Sequence, residues 1–302
     1  MDKVVTIIVT YNGSKWIRRC LEQLLESSTK TDIMILDNNS SDNTLDVIAP
    51  FLKKIKLIKL SSNLGFGGAN NIGIQKALDA AYSHIFLLNQ DAYVRPDTIS
   101  KLLITALENP DYGIISPLQL NISGKALDQV FGNQVRKQYN PDSEQLKLDL
   151  SQNSPSTVQE VKFAGAASWF VPAEVFKKVG LFHPQFFHYG EDNNFAARAQ
   201  YYDFKIGIQV TAAVLHDRKP RELPKFLSTK LRTFPLHQLL DIRKPFFIAW
   251  LVGYYQLMRT WSKLKKISGE KHKTQYLETR KWFFTHIKKA REIRIELKEG
   301  HK

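Results

Sequence analysis

The 302-residue chain has one cysteine, Cys20, so no internal disulfide can form. A secreted fold stapled by disulfides is excluded, and a reducing, cytoplasmic setting is expected. Long hydrophobic runs are also missing. The apolar stretch at residues 246–258 is only 13 residues long, whereas a bilayer-crossing helix needs about 20. Met1-Asp2-Lys3 leads straight into the apolar run Val4–Thr10. The basic start, longer apolar core and small-residue cleavage site of a signal peptide are lacking there, so no export signal is expected. Glycine and proline are sparse, at 15 and 12 residues, which excludes collagen-like and low-complexity chains. With 43% hydrophobic and 24% charged residues, the composition suits a folded protein with a sizeable core.

Acidic residues are scarce in one region only. Residues 1–216 hold 21 Lys and Arg and 21 Asp and Glu. Residues 217–302 hold 22 basic against 8 acidic residues, and so carry the whole net charge of +14. A neutral body with a basic tail points to an enzyme carrying an attachment device. A nucleic-acid module would spread its charge over its binding face.

The first third alternates strands and helices. Val4–Thr10 is rich in β-branched residues and reads as a buried strand. Trp16, Ile17, Cys20, Leu21, Leu24 and Leu25 then recur at helical spacing. A second strand over 32–36 ends at Asp37, and capping chemistry at 41–44 precedes a helix over 45–52. A third strand over 55–60 leads to the glycine-rich stretch 63–73 and a helix reaching about residue 81. A fourth, over 84–88, ends in Asn89-Gln90-Asp91. Strands spaced by helices predict parallel βαβ units with helices on both sheet faces. Residues 121–160 are polar and weakly periodic, and predict an insertion or a long hairpin. A strand over 161–171 follows, then a helix opened by Pro172 and closed by Gly180. Next come a loop bearing Glu191-Asp192, a helix over 193–202 and a strand ending at His216. From residue 222 only helices are expected. This predicts a 1–221 α/β domain and a 222–302 basic helical extension.

In an open α/β sheet, ligands bind beyond the carboxyl ends of the strands. Four strand ends carry notable polar groups: Thr10-Tyr11-Asn12, Asp37-Asn38-Asn39, Asn89-Gln90-Asp91 and His216. A strand-terminal Asp alone more often forms a turn or caps a helix, but four such ends on one edge predict a site. The glycine-rich stretch argues against a dinucleotide-binding oxidoreductase. It lacks the third glycine of G-x-G-x-x-G, and the acidic strand end precedes the glycines instead of following them. A sugar nucleotidyltransferase would need a glycine-rich, basic loop after Val9, which is absent.

These stretches, together with Gly190-Glu191-Asp192, resemble the family 2 glycosyltransferases in order and approximate spacing across residues 4–216, about 70% of the chain. Their wording is most similar to bacterial rhamnosyltransferase-like members. The resemblance implies an inverting enzyme of the GT-A fold, a Rossmann-like mixed sheet flanked by helices. It implies a UDP- or dTDP-sugar donor, dTDP-rhamnose included, and a glycan or lipid-linked acceptor in cell-surface polysaccharide synthesis. Asp37, acceptor-only when ionised, would take the N3–H of uracil or thymine. Tyr11 would stack on the base, and Thr10, Asn12, Asn39, Gly67, Asn70 and Gln90 would complete the donor site. Gly67 and Asn70 belong to a stretch expected to be a loop that lets the backbone approach the donor.

Asp91 corresponds to the last acid of the family's Asp-x-Asp motif, with Asn89 standing where the family has an acid. With His216, the resemblance implies, it holds Mg²⁺ or Mn²⁺ at the diphosphate. Asp192 is the implied general base. Glu191 would bind the acceptor or raise the base's pKa. Trp169 and Tyr189 are acceptor-face candidates, core packing being the other reading of Trp169. For the basic tail, solvated helix faces, a peripheral anchor at the inner face of the plasma membrane and homo-oligomerisation stay open, and nucleic acid is not expected as a partner. A non-enzymatic binding protein would explain the tail but not the placement of Asp37, Asp91 and Asp192.

Overall fold

The β-branched run Val4–Thr10 forms the central strand β1. In this computed structural model, which describes residues 2–136, 158–218 and 222–300, β1 is flanked by two parallel neighbours. On one side it pairs with β2 (Asp32–Asp37), which pairs in turn with β3 (Lys56–Lys59). On the other it pairs with β4 (His84–Asn89). Beyond β4 the sheet becomes mixed. β8 (Ser168–Pro172) runs antiparallel to both β4 and β6 (Tyr112–Asn121). β9 (Lys205–His216) is parallel to β6 and pairs at its two ends with the short strands β7 (Val158–Glu160) and β5 (Ala92–Val94). Two antiparallel steps restore direction, so β9 ends at the same edge of the sheet as β1, β2 and β4.

Strand alternation sorts the side chains between two faces. Ile8, Ile35 and Phe86 pack with Ile17, Leu21 and Leu24 of α1 (Ile17–Leu25), Ile48 of α2 (Thr44–Ile48), and Ile99 and Leu102 of α4 (Thr98–Glu108). Ile7 and Leu36 face α3 (Gly65–Asp79) on the other side. Gly73 brings α3 so near that a Cβ there would lie 2.9 Å from both side chains. That stretch therefore starts a helix at Gly65, where a φ of 73° makes the turn, and is not the loop expected around Gly67 and Asn70.

Other elements also differ from expectation. Within 121–160 the described part contains α5 (Gln129–Val135). Asp128 starts it by accepting hydrogen bonds from the backbone N–H of Val130 and Phe131, an N-cap that overrides the weak periodicity. Residues 137–157 lie outside the described residues. The strand expected over 161–171 shortens to β8, because Trp169 donates its indole N–H to the Ala164 carbonyl (2.9 Å) and folds the preceding segment back. Pro172 ends β8, and α6 (Ala173–Val179) follows. The next helix, α7 (Glu191–Tyr201), starts two residues earlier than expected. Gly190 supplies a φ of 98°, and any Cβ there would meet the Phe186 ring at 2.9 Å.

The C-terminal part is helical as expected: α8 (Leu223–Leu239), α9 (Phe246–Ser268), α10 (Lys273–Thr285) and α11 (Ile287–Glu299). The chain forms two compact units. One comprises Met1–Lys177 with Asp203–Arg218, the other Lys178–Tyr202 with Lys219–Lys302. α7 therefore groups with the C-terminal helices. Phe186, Leu236, Leu239, Phe283, Ala290 and Ile293 form a core of that second unit.

Candidate active site

The carboxyl edge of the first unit is built by hydrogen bonds between loops. Gln90 Oε1 accepts from the Thr10 hydroxyl (2.6 Å) and the Tyr11 backbone N–H (3.1 Å), while its Nε2 donates to the Tyr11 carbonyl (3.3 Å). The Gln90 amide thus clamps the β1–α1 turn. A Cβ at Gly13 would sit 2.0 Å from that Oε1, so only glycine lets Gln90 into the turn. Asn12, at a φ of 48°, joins this turn to the next loop by accepting from Ser41 N–H (2.8 Å), and its own N–H donates to the Ser40 hydroxyl. Tyr11 is left 46% exposed at the rim.

Asp37 ends β2 and is buried. Its Oδ2 accepts from Ser40 N–H at 3.3 Å, but its Oδ1 is buried without any partner among the described residues. An orphaned carboxylate oxygen is costly and is available to a donor brought by a ligand. Asn38, named from sequence only as part of a polar strand end and given no role there, pins the start of α3. Its Nδ2 donates to Asn63 Oδ1 and the Gly65 carbonyl, and its Oδ1 accepts from Leu64 N–H. Asn39 takes a φ of 66° beside it. Asn70 is buried inside α3, where its Nδ2 donates to the Phe66 carbonyl (2.9 Å).

Asp91 and His216 meet directly, with Nε2 lying 3.3 Å from Oδ1. Pairing of β5 with β9 places Ala92 opposite His216, and Asp217 N–H donates to the Asp91 carbonyl. The imidazole is buried, while the Asp91 side chain keeps 23% of its surface open. Arg218 Nη2 lies 3.3 Å from His216 Nδ1. A guanidinium can only donate, so Nδ1 accepts and Nε2 carries the ring proton toward Asp91. Asp128, the cap of α5, lies 3.4 Å from Arg218 Nε and completes a chain of polar groups not foreseen from sequence. Cys20 is not a nucleophile here, since burial and the Asp91 charge push its thiol far above the usual range.

A divalent cation fits this corner. Such ions bind through one or two protein groups plus phosphate oxygens and water, and Asp91 offers a partly open carboxylate. His216 Nε2 lies 3.3 Å from that carboxylate and could join it as a second ligand. Among the described residues no cluster of three or more His, Cys, Asp or Glu forms a closed metal cage.

In the second unit, Glu191 and Asp192 occupy the first turn of α7 rather than a loop. Glu191 is buried with Oε2 unpartnered, and burial together with the Asp192 charge pushes its pKa up to about 8. Asp192 is half-buried, and its Oδ1 accepts from the N–H (2.7 Å) and side-chain amide (2.8 Å) of Asn193. Tyr189, at a φ of 67°, sets its ring against His188, the centroids 4.0 Å apart and the planes tilted by 47°.

The Glu191 shift has a testable sign. An acid whose pKa is higher folded than unfolded favours the folded state at low pH, and this is lost as pH rises through the folded value. Between about pH 4.5 and 8 the native protein thus loses stability at this site. Glu191→Gln is expected to flatten that slope and melt higher than wild type at pH 8. Urea unfolding at both ends of the range measures it.

Thr10, Tyr11, Asn12, Asp37, Asn39, Gln90, Asp91 and His216 thus share one edge of the first unit, whereas Tyr189, Glu191 and Asp192 lie in the second. Trp169 requires a correction. Its ring is fully buried in the sheet and its N–H is spent on Ala164, so it offers no face to an acceptor.

Among the described residues nine strands form one mixed sheet, and solved GT-A transferases share this fold. Residues 1–349 of S. aureus TarS, in complex with UDP, match 98% of this chain and 89% of that one, with a TM-score of 0.61 at 15% identity. The mannosyltransferase PcManGT from Pyrobaculum calidifontis, in complex with GDP-Man and Mn²⁺, matches 97% and 87%, with a TM-score of 0.60 at 13% identity. The fold is GT-A. Residues 5–179 match the glycosyl transferase family 2 model, and the chain belongs to that family. Among curated relatives, the low-salt glycan biosynthesis hexosyltransferase Agl10 of Haloferax volcanii is 24% identical over 234 residues, covering 76% of this chain and 71% of that protein. The dTDP-rhamnosyl transferase RfbF of Shigella flexneri is 25% identical over 220 residues, covering 71% and 69%. Family membership sets aside the oxidoreductase and non-enzymatic readings.

Proposed function

We propose that this glycosyltransferase moves a sugar from a UDP- or dTDP-sugar to a hydroxyl of a glycan or lipid-linked acceptor, with inversion, in cell-surface polysaccharide synthesis. Likeness to the Shigella flexneri dTDP-rhamnosyl transferase supports dTDP-rhamnose as the donor. The observation that carries the donor reading is the buried, unpartnered Oδ1 of Asp37. The N3–H of uracil or thymine would satisfy it, and the exposed Tyr11 ring is available to stack on the base. The acceptor hydroxyl gives its proton to Asp192, its oxygen bonds to the anomeric carbon, and the bond from that carbon to the diphosphate breaks. The diphosphate leaves with the electron pair. Asp91, with His216, would hold Mg²⁺ or Mn²⁺, which when bound supplies Lewis-acid stabilisation of the leaving diphosphate. With Asn89 in place of a second acid, metal affinity would rest largely on the diphosphate oxygens.

A thermal-shift panel tests the donor reading, because a ligand that binds only the folded state must raise its stability. UDP and dTDP are expected to raise the melting temperature, and CDP, whose N3 carries no hydrogen, is not. Asp37→Ala should abolish the difference. An equal shift with CDP would overturn the role of Asp37.

A further inference from the structure

Helix α9 has its large and small residues on unexpected sides. The face packed into the second unit is Ala249, Gly253, Leu257, Thr260 and Leu264. Gly253 sits so tightly that a Cβ would lie 3.0 Å from Phe283 and 3.2 Å from the Pro235 carbonyl. The large apolar residues point outward instead. Phe247 is 65% exposed, Tyr255 61%, Ile248 45%, Leu251 42% and Met258 40%. At about 100° per residue these five fall within an arc of about 100° on one side of the helix. Arg259 and Lys266, both exposed and without a salt bridge among the described residues, border that face.

The face continues into a cavity of about 560 Å³ lined by Phe246, Phe247, Trp250, Ile295, Arg291 and Lys298. Arg291 lies over the Phe246 ring at 4.6 Å. Neither Arg291 nor Lys298 has a carboxylate partner among the described residues, and Trp250 Nε1 is a buried donor without an acceptor. Aromatic side chains, exposed aliphatics and unpaired cations on one surface suit a membrane–water interface. No helix among the described residues is long and apolar enough to cross a bilayer, so contact would be along the surface. The charge excess of residues 217–302 selects the sign of the lipid.

We infer that the outer face of α9 and its adjoining cavity dock on a membrane surface rich in anionic phospholipid. Arg291 and Lys298 take headgroup phosphate, while Phe247, Leu251 and Tyr255 enter the acyl boundary. This site is independent of the donor and of the transfer chemistry.

The test is co-sedimentation of the full chain with phosphatidylcholine vesicles, alone or with about 30 mol% phosphatidylglycerol. Wild type is expected to partition at least about tenfold more strongly onto the anionic vesicles, less so as salt rises from about 0.1 to about 0.5 M. Arg291→Glu with Lys298→Glu should lower that binding about tenfold or more, with melting temperature and circular dichroism unchanged. Phe247→Ser with Leu251→Ser should remove the salt-resistant part. Equal binding to both vesicle types would overturn the inference, as would wild-type binding by both double variants. So would a dimer that the Phe247/Leu251 variant dissociates while vesicles recruit nothing, since a second copy of the chain would then own the face.

Discussion

Asp192→Asn is expected to lower kcat for sugar transfer about 10²–10⁴-fold, the usual contribution of a positioned base, with nucleotide-sugar binding nearly unchanged. The two carboxylate oxygens of Asp192 stand in different situations. Oδ1 is held by two hydrogen bonds from Asn193, whereas Oδ2 makes none among the described residues and is open to a proton. Asparagine keeps an oxygen for Asn193 but puts an amide where a proton must be accepted. The bland alternative is that Asp192 only complements the positive end of α7, a role worth about 0.3–1 kcal/mol in stability and nothing in turnover. Single-turnover rates beside urea unfolding separate the two. Near-normal turnover in a folded variant would remove Asp192 from the base role.

Asp91→Asn is expected to cost about 10²–10³-fold in activity, as a Lewis acid contributes several kcal/mol and each 1.36 kcal/mol is tenfold. Mn²⁺ should then no longer enhance the thermal shift produced by UDP. Asparagine is the informative replacement because it keeps the size of the side chain and a polar oxygen facing His216 Nε2. Asp91→Ala would also leave that buried N–H unpaired, which costs about 1–3 kcal/mol of stability. A fall in melting temperature in Asp91→Ala but not Asp91→Asn would identify the His216 contact as structural support. Unchanged metal dependence in Asp91→Asn would remove Asp91 from the metal role.

Much of the first unit is legible in local pattern. Val4–Thr10 can only be a buried strand, and the polar residues following β1, β2 and β4 must lie on one edge because those strands are parallel. Legibility fails where a residue's part depends on distant neighbours. Asn38 looks like an ordinary loop residue and Gln90 like a donor-site residue until their amides are seen clamping the start of α3 and the β1–α1 turn. The capping of α5 by Asp128 was hidden because one side chain started a helix that hydrophobic periodicity did not announce. Trp169 beside a suspected site reads equally as a sugar platform or as core, and only its burial decides for core.

The sequence by itself determined the alternation of strands and helices, the strand-end acids, and the gathering of all excess positive charge beyond residue 216. These are properties of short windows, in which chain geometry dictates the period and composition dictates the charge. Tertiary structure alone decided that His216 meets Asp91, that Glu191 rather than Asp192 is the buried acid, and that α9 turns its small residues inward and its large ones out. Burial and contact are relations between segments far apart in the chain, and they exist only once those segments have packed.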